Sequence, residues 1–298
     1  MNRFWSFVIV LAVYVLAAAC GILTYILLNL VIANQIILML LADVAATLVV
    51  WCFGLIFKNA SMYDPYWSIQ SLVIIAGWLY IRNTALNIID IFMLIAVGFW
   101  AVRLTYNWIS SFYGLKKTQD WRYVMLKQKN PKLYFITNLF GINLMPTTLV
   151  YLGTVPIYYL IFSKPSFNGF TVFGFLIMIL AVLLELGADI QMKNFRQTNK
   201  DKSKVMDKGL WAYSRHPNYL GEVTFWWGLL LFAFSNIHTP LYVVIGAISI
   251  TLLFLFISIP MIENKMLSSR PAFKDYQKRV SMLLLLPNKK LEEEPEKN

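Results

Sequence analysis

The sequence predicts an all-α polytopic membrane protein of about eight transmembrane helices, and three observations point there. The 298 residues are 59% hydrophobic and 14% charged, with a mean hydropathy of +0.61, a balance foreign to soluble domains. The apolar residues fall in runs near the roughly 17–25 residues that a bilayer crossing needs. Aromatic residues make up 16% of the chain, which suits spans bordered by Trp and Tyr at the membrane interface.

The runs follow in order. The first, about 6–31, contains Ala17-Ala18-Ala19-Cys20, which resembles a lipoprotein cleavage site. Only Arg3 precedes it and the apolar run continues to Leu30, so it reads as a retained first span. The second, 35–57, carries Asp43 deep in apolar sequence, where an acid calls for Arg103 as partner or for a place on a cavity wall. The third, 66–82, is short and follows an Asp64-Pro65 turn signal. The fourth, 86–109, has Asp90 near its outer boundary, expected in water, and Trp100 and Arg103 further in. The fifth, 136–162, holds Pro146 and Pro156 and is expected to kink. The last three are 169–188, 219–236 and 240–261. The charged tail 288–298 reads as disordered.

The formal charge of +11 would point to nucleic acid in a soluble protein; here a positive-inside bias accounts for it, and no nucleic-acid partner is expected. With the N-terminus inside, Arg82 and Lys164 are outside, Arg103 lies within a span and the other 23 basic residues are cytoplasmic. Both termini are therefore expected in the cytoplasm, of a bacterial inner membrane or the endoplasmic reticulum equally. Cys20 and Cys52 both fall in apolar runs and there are only two histidines, which argues against a disulfide framework and a metal site.

Polar residues gather at the cytoplasmic ends of the sixth and seventh runs. Glu185, Asp189 and Arg196 lie close to one helical face. Gly209-Leu210-Trp211-Ala212-Tyr213-Ser214-Arg215-His216-Pro217-Asn218-Tyr219-Leu220-Gly221-Glu222 leads into the seventh run. Pro217 suits a first helical turn, and Asn218 and Glu222 are then four apart on one face. Arg215 lies at the same helix start, which favours anions. The plainer readings are a helix-end ion pair and an ordinary cap. Together the two ends make a pocket able to hold phosphate at its rim and polar groups deeper in.

Asp189 to Arg196, Gly209 to Glu222, and Phe273-Lys274-Asp275-Tyr276 before Pro287 resemble the steroid 5-alpha-reductase superfamily, closest to its DUF1295 branch, over about 185–287. Lys116 to Tyr123 and Tyr63-Asp64-Pro65-Tyr66-Trp67 resemble the same branch. The resemblance implies helices around a cytoplasm-facing cavity, with N-terminal spans 1–60 and a reductase-like membrane domain 61–287. It implies NADPH as cofactor and reduction of a carbon–carbon double bond conjugated to a carbonyl, in a steroid-, isoprenoid- or lipid-like substrate. On matching positions Asp189, Arg196, Asn218, Tyr219 and Glu222 hold the cofactor, with Arg215, His216, Glu263 and Tyr276 contributing from the motif and the closing C-terminal segment. At the substrate end Asp64 falls near the family's acid, beside Tyr63 and Tyr66. Trp100 stands where the family's tyrosine is expected; it can donate a hydrogen bond but no proton, which departs from the steroid pattern.

Arg215-His216-Pro217-x-Tyr219-x-Gly221 also resembles S-adenosylmethionine-dependent membrane methyltransferases of the isoprenylcysteine and phospholipid type. Those carry paired glutamates after the last span, whereas Glu263 is followed by Asn264. A non-catalytic membrane protein is the third reading.

Overall fold

The computed structural model describes residues 2–163, 165–201 and 203–288; the expected disordered tail lies outside the described residues from 289 onward. Regular structure among them is helical, apart from one parallel bridge between Ser214 and Ser281. Helices stand at all eight apolar runs. Six are long and apolar enough to cross a membrane: Arg3–Leu28, Gln35–Ile56, Ile88–Ser111, Tyr134–Ile161, Gly169–Thr198 and Leu241–Ser269. The other two, α3 (Tyr66–Arg82) and α9 (Pro217–Ala233), have 17 residues each. At 1.5 Å per residue that is about 25 Å, short of a hydrocarbon core of roughly 30 Å.

The chain divides into two compact units, one comprising Met1–Asn168 with Ala233–Gly246, the other Gly169–Phe232 with Ala247–Asn298. In the first, α1 (Arg3–Leu28) and α2 (Gln35–Ile56) pair along small residues. A Cβ on Gly21 would lie 3.1 Å from the Ala42 carbonyl oxygen, so the backbones approach as van der Waals packing in lipid requires. The outer face of α1 exposes Leu11, Val15, Ile22 and Leu23, as lipid-facing helices do. Asparagines start the helices: Asn2, Asn34 and Asn87 accept backbone N–H groups at the heads of α1, α2 and α4 (Ile88–Ser111), satisfying donors that a helix start leaves open.

Asp90 is not in water. Its carboxylate closes a capping box with Asn87 and accepts both terminal nitrogens of Arg82, at 2.9 and 2.8 Å. Asn83, left-handed at φ 52°, ends α3 and turns the chain so that the two meet. Asp90 is 1% exposed; the cation removes the cost that burial imposes on a lone carboxylate.

After the amphipathic α5 (Trp121–Lys129), a single turn α6 (Tyr134–Ile136) passes through a π-helical stretch, Thr137–Leu144, into α7 (Met145–Ile161). The irregularity expected of Pro146 takes the form of that π stretch, because proline donates no hydrogen bond to the turn before it.

In the second unit, α8 (Gly169–Thr198) and α9 pack through glycines. A Cβ would lie 2.5 Å from the Phe232 backbone at Gly174, 2.8 Å from the Ala181 oxygen at Gly221 and 3.1 Å from the Met178 nitrogen at Gly228. Gly221 and Gly228, seven apart, share one face of α9. Beyond them come α10 (Val244–Leu253), a π turn Phe254–Ser258, α11 (Ile259–Ser269) and α12 (Phe273–Arg279).

Candidate functional site

The segment leading into α9 is docked by its backbone. Gly209 has φ +61°, and a Cβ there would sit 2.5 Å from Gln191 Oε1. That oxygen instead accepts the Leu210 N–H at 2.9 Å, and Trp211 Nε1 donates to the Ala188 carbonyl at 3.1 Å. One turn of α8 thus holds Gly209–Ala212. The C-terminal residues 281–286 then run beside 213–215 as a short strap. Arg215 N donates to Ser281 O at 2.8 Å, Leu286 N to Tyr213 O at 3.1 Å, and Ser214 Oγ to Leu283 O at 2.7 Å. Tyr276, 2% exposed, donates its hydroxyl to Trp211 O at 2.6 Å.

Glu263 is the hub of this region. Its Oε1 accepts Arg215 Nε at 2.6 Å and lies 3.0 Å from His216 Nε2; its Oε2 accepts Gln277 Nε2 at 2.7 Å. Arg215 Nη1 also donates to the carbonyls of Gln277 and Val280 at 2.9 and 2.7 Å. The side chains of Arg215 and Glu263 are each 11% exposed. Four residues expected at the cofactor, Arg215, His216, Glu263 and Tyr276, are thus brought together, with their polar atoms engaged in fastening the α9 start to the C-terminal segment. Ser214 and Gln277 were missed; Ser214 was within the motif, whereas Gln277 had no signal beyond its proximity to Tyr276.

The first turns of α9 carry the rest. The Tyr219 ring lies parallel to the His216 imidazole, 5.4 Å between centroids and 10° between planes, and against Phe254 at 4.8 Å. Asn218 is half-buried. Glu222, 4% exposed, accepts Trp226 Nε1 at 3.0 Å one turn on. Glu185 of α8 is fully buried, and its Cγ would meet a Cβ on Gly221 at 2.3 Å. Asp189 follows one turn later, half-buried, and Arg196 two turns beyond that on the exposed end of α8 with Lys193 and Lys200. The arrangement offers cations at its edge and an amide, a phenol and a carboxylate on one helix start.

The four residues expected at the substrate end lie in the first unit. Asp64 accepts the Tyr123 hydroxyl at 2.7 Å. Burial, and then the neighbouring Asp120 charge, push its carboxyl up to about 7 against the pull of that hydrogen bond. Tyr63 shares a hydrogen bond with Thr147 Oγ1 at 2.8 Å, and Thr147 with Thr47 at 3.0 Å. Tyr66 donates to Asp43 Oδ1 at 2.9 Å, and Gln70 Nε2 to Asp43 Oδ2 at 2.6 Å. Asp43 therefore draws on Tyr66 and Gln70. Trp100 is fully buried, its ring 5.9 Å from that of Trp67. The buried net of Asp43, Tyr66, Gln70, Tyr63 and Thr147 was half legible: Tyr66 and Gln70 are four apart on one face of α3.

Fold and site define a polytopic helical membrane protein with a charged hub at the start of a buried helix. The chain belongs to the family described as Protein of unknown function (DUF1295), whose model matches residues 50–280. It is also 25% identical over 208 residues to an uncharacterized protein of Schizosaccharomyces pombe, an overlap of 62% of this chain and 60% of the length of that relative. No solved structure matches.

Proposed function

We propose that the protein is a membrane-embedded reductase that uses NADPH to reduce a carbon–carbon double bond conjugated to a carbonyl in a hydrophobic substrate, as the resemblance to the steroid 5-alpha-reductase superfamily implies. The observation that carries this reading is the start of α9. There the residues of the motif that hold each other, Arg215, His216, Glu263 and Tyr276, are spent on fixing the backbone. Asn218, Tyr219 and Glu222 follow at once on the helix and place an amide, a phenol and a carboxylate on its first turns.

The donor set fits a dinucleotide. Lys193, Arg196 and Lys200 are exposed cations at the end of α8, suited to phosphates. Asn218 and Glu222 supply the donor and acceptor that a carboxamide needs, and Asp189 adds an acceptor for a ribose hydroxyl. The bound cofactor supplies hydride to the carbon β to the carbonyl. Negative charge then develops on the carbonyl oxygen and calls for a hydrogen-bond or proton donor, a role that the resemblance gives to Asp64, beside Tyr63 and Tyr66. A carboxyl held protonated to about pH 7 is apt for that role. The orientation proposed with it, both termini cytoplasmic, rests on the distribution of the 23 cytoplasmic basic residues.

The test is a titration of the purified protein with NADPH, NADH and S-adenosylmethionine. Saturable NADPH binding tighter than NADH, weakened about 10-fold or more by Glu222→Gln, supports the reading, since one charged hydrogen bond contributes about 1.5–3 kcal/mol. S-adenosylmethionine binding without NADPH binding transfers the site to the methyltransferase class. NADPH binding that Glu222→Gln and Asn218→Ala leave untouched makes the pair a helix cap joined to Trp226.

A further inference from the structure

We propose that the first unit carries a binding site for the phosphate of an anionic phospholipid, in a cavity at the end of α2. The cavity measures about 250 Å³, and Lys58, Gln119, Lys127 and Tyr134 face it together with the apolar Leu55 and Phe135. That volume is below the roughly 300–1,000 Å³ of ordinary small-molecule pockets: it takes a headgroup and excludes a dinucleotide.

Position, charge and shape all select this occupant. The helix Gln35–Ile56 ends at the cavity and the helix Tyr134–Ile161 begins there, so it lies at the depth of a phosphate layer. Lys58, left-handed at φ 53°, lies just past Phe57, the C-cap of α2. Lys127 approaches from α5, its ammonium 5.7 Å from the Tyr134 ring centre. Neither lysine is ion-paired with a described carboxylate. Residues 116–132 hold six basic residues against Asp120 alone, and Asp120 is bound by Arg122. The field of this rim is therefore open to an anion. Basic pockets between membrane helices on the side richest in Lys and Arg are where anionic headgroups settle.

A free phosphate would share the polar half of the site but not the apolar half. Trp51 sits one turn before Leu55, its ring edge-on to Phe135 at 5.0 Å. Phe135 and the neighbouring Ile56 at the end of α2 are each more than half exposed. That wall runs from the cavity toward the lipid-facing side and is matched by an acyl chain.

Native mass spectrometry of the full chain in non-ionic detergent decides. The probes are phosphatidylglycerol, phosphatidylcholine with the same chains, and sodium phosphate. Phosphatidylglycerol should bind about 10-fold more tightly than phosphatidylcholine, and Lys58→Gln and Lys127→Gln should each weaken it about 5-fold. Lys116→Gln, away from the cavity, should change it less than about 2-fold, and Lys58→Arg should retain binding, which separates lost charge from lost folding. Equal binding of the two lipids, or insensitivity to both glutamine variants, overturns the site. Displacement of the lipid by an equal concentration of phosphate overturns the lipid as its occupant.

Discussion

Replacing Glu263 by alanine should free the C-terminal strap without unfolding the protein. The carboxylate serves Arg215 Nε, His216 Nε2 and Gln277 Nε2 within 2.6–3.0 Å. Removing one side of a buried ion pair costs about 3–5 kcal/mol, because the remaining charge stays desolvated. Arg215 keeps the carbonyls of Gln277 and Val280, and its side chain is 11% exposed, so the lower end, about 3 kcal/mol, applies. That is roughly a 150-fold rise in the local opening equilibrium. Glu263→Gln keeps the shape and one acceptor and should cost about 1 kcal/mol, or roughly 5-fold. Hydrogen exchange on peptides spanning 210–216 and 277–286 reads the effect, since strap opening is sub-global. The Ser281–Arg215 and Leu286–Tyr213 backbone bonds report it directly. Peptides within Gln35–Ile56 should exchange as in the unmodified protein. Unchanged protection of 277–286 in Glu263→Ala would refute the hub, and loss of protection everywhere would refute the local character of the strap.

Arg82→Ala should lower the melting temperature by leaving Asp90, 1% exposed, without its cation; the same cost of about 3 kcal/mol is expected, and a neutral result would mean that Asp90 reaches water. Gly221→Ala should be strongly destabilising, since its Cβ meets the Ala181 oxygen at 2.8 Å, while Gly98→Ala, with nothing within 4 Å, should be neutral or gain up to about 1 kcal/mol; equal melting points would refute the close α8–α9 packing. Asp64 binds its proton up to about pH 7 in the folded state against 3.8 ordinarily. Its contribution is thus complete below pH 3.8 and is lost as pH rises through about 7. Asp64→Asn should flatten the melting temperature between about pH 4 and 8, and a slope identical to that of the unmodified protein would disprove the assignment.

The helices were legible because apolar runs announce themselves, but how many of them cross was not. α3 and α9 both stop at 17 residues, one at the left-handed Asn83 and the other at the turn Phe234–Asn236, and a hydropathy run does not see such stops. The motif 209–222 was legible as a unit because it packs one set of polar residues against a helix start. What tethers it was not, since Glu263 lies 48 residues from Arg215 and the strap Leu283–Leu286 reads as four undifferentiated leucines. Asp90 was misplaced in water because its partner comes through a turn, from Arg82, and not along a helix face. Asp43 was flagged by its cost in an apolar run, yet periodicity could not choose among its partners. Tyr66 and Gln70 reach it from α3 across 23 and 27 residues of chain.

Two acids outside the deepest apolar runs show how partners, and not the carboxyl itself, set a role. Glu263 accepts from Arg215 and Gln277 and lies within 3.0 Å of His216. Its oxygens are engaged in orienting those neighbours. Asp64 is met by a phenol, Tyr123, and shares its surroundings with a second acid, Asp120. Arg122 is in hand to Asp120 through both its Nε and Nη2 bonds, at 2.9 Å each, which leaves Asp64 the less neutralised of the two acids. Burial then keeps the proton on Asp64 to about pH 7. On the proposed reductase reading, Asp64 is the acid equipped to donate to the carbonyl oxygen and Glu263 is a fastening residue. Under that reading the two substitutions separate in their pH profiles: Asp64→Asn should remove an ionisation near pH 7 from the NADPH-dependent rate, and Glu263→Gln should scale the rate without moving that ionisation.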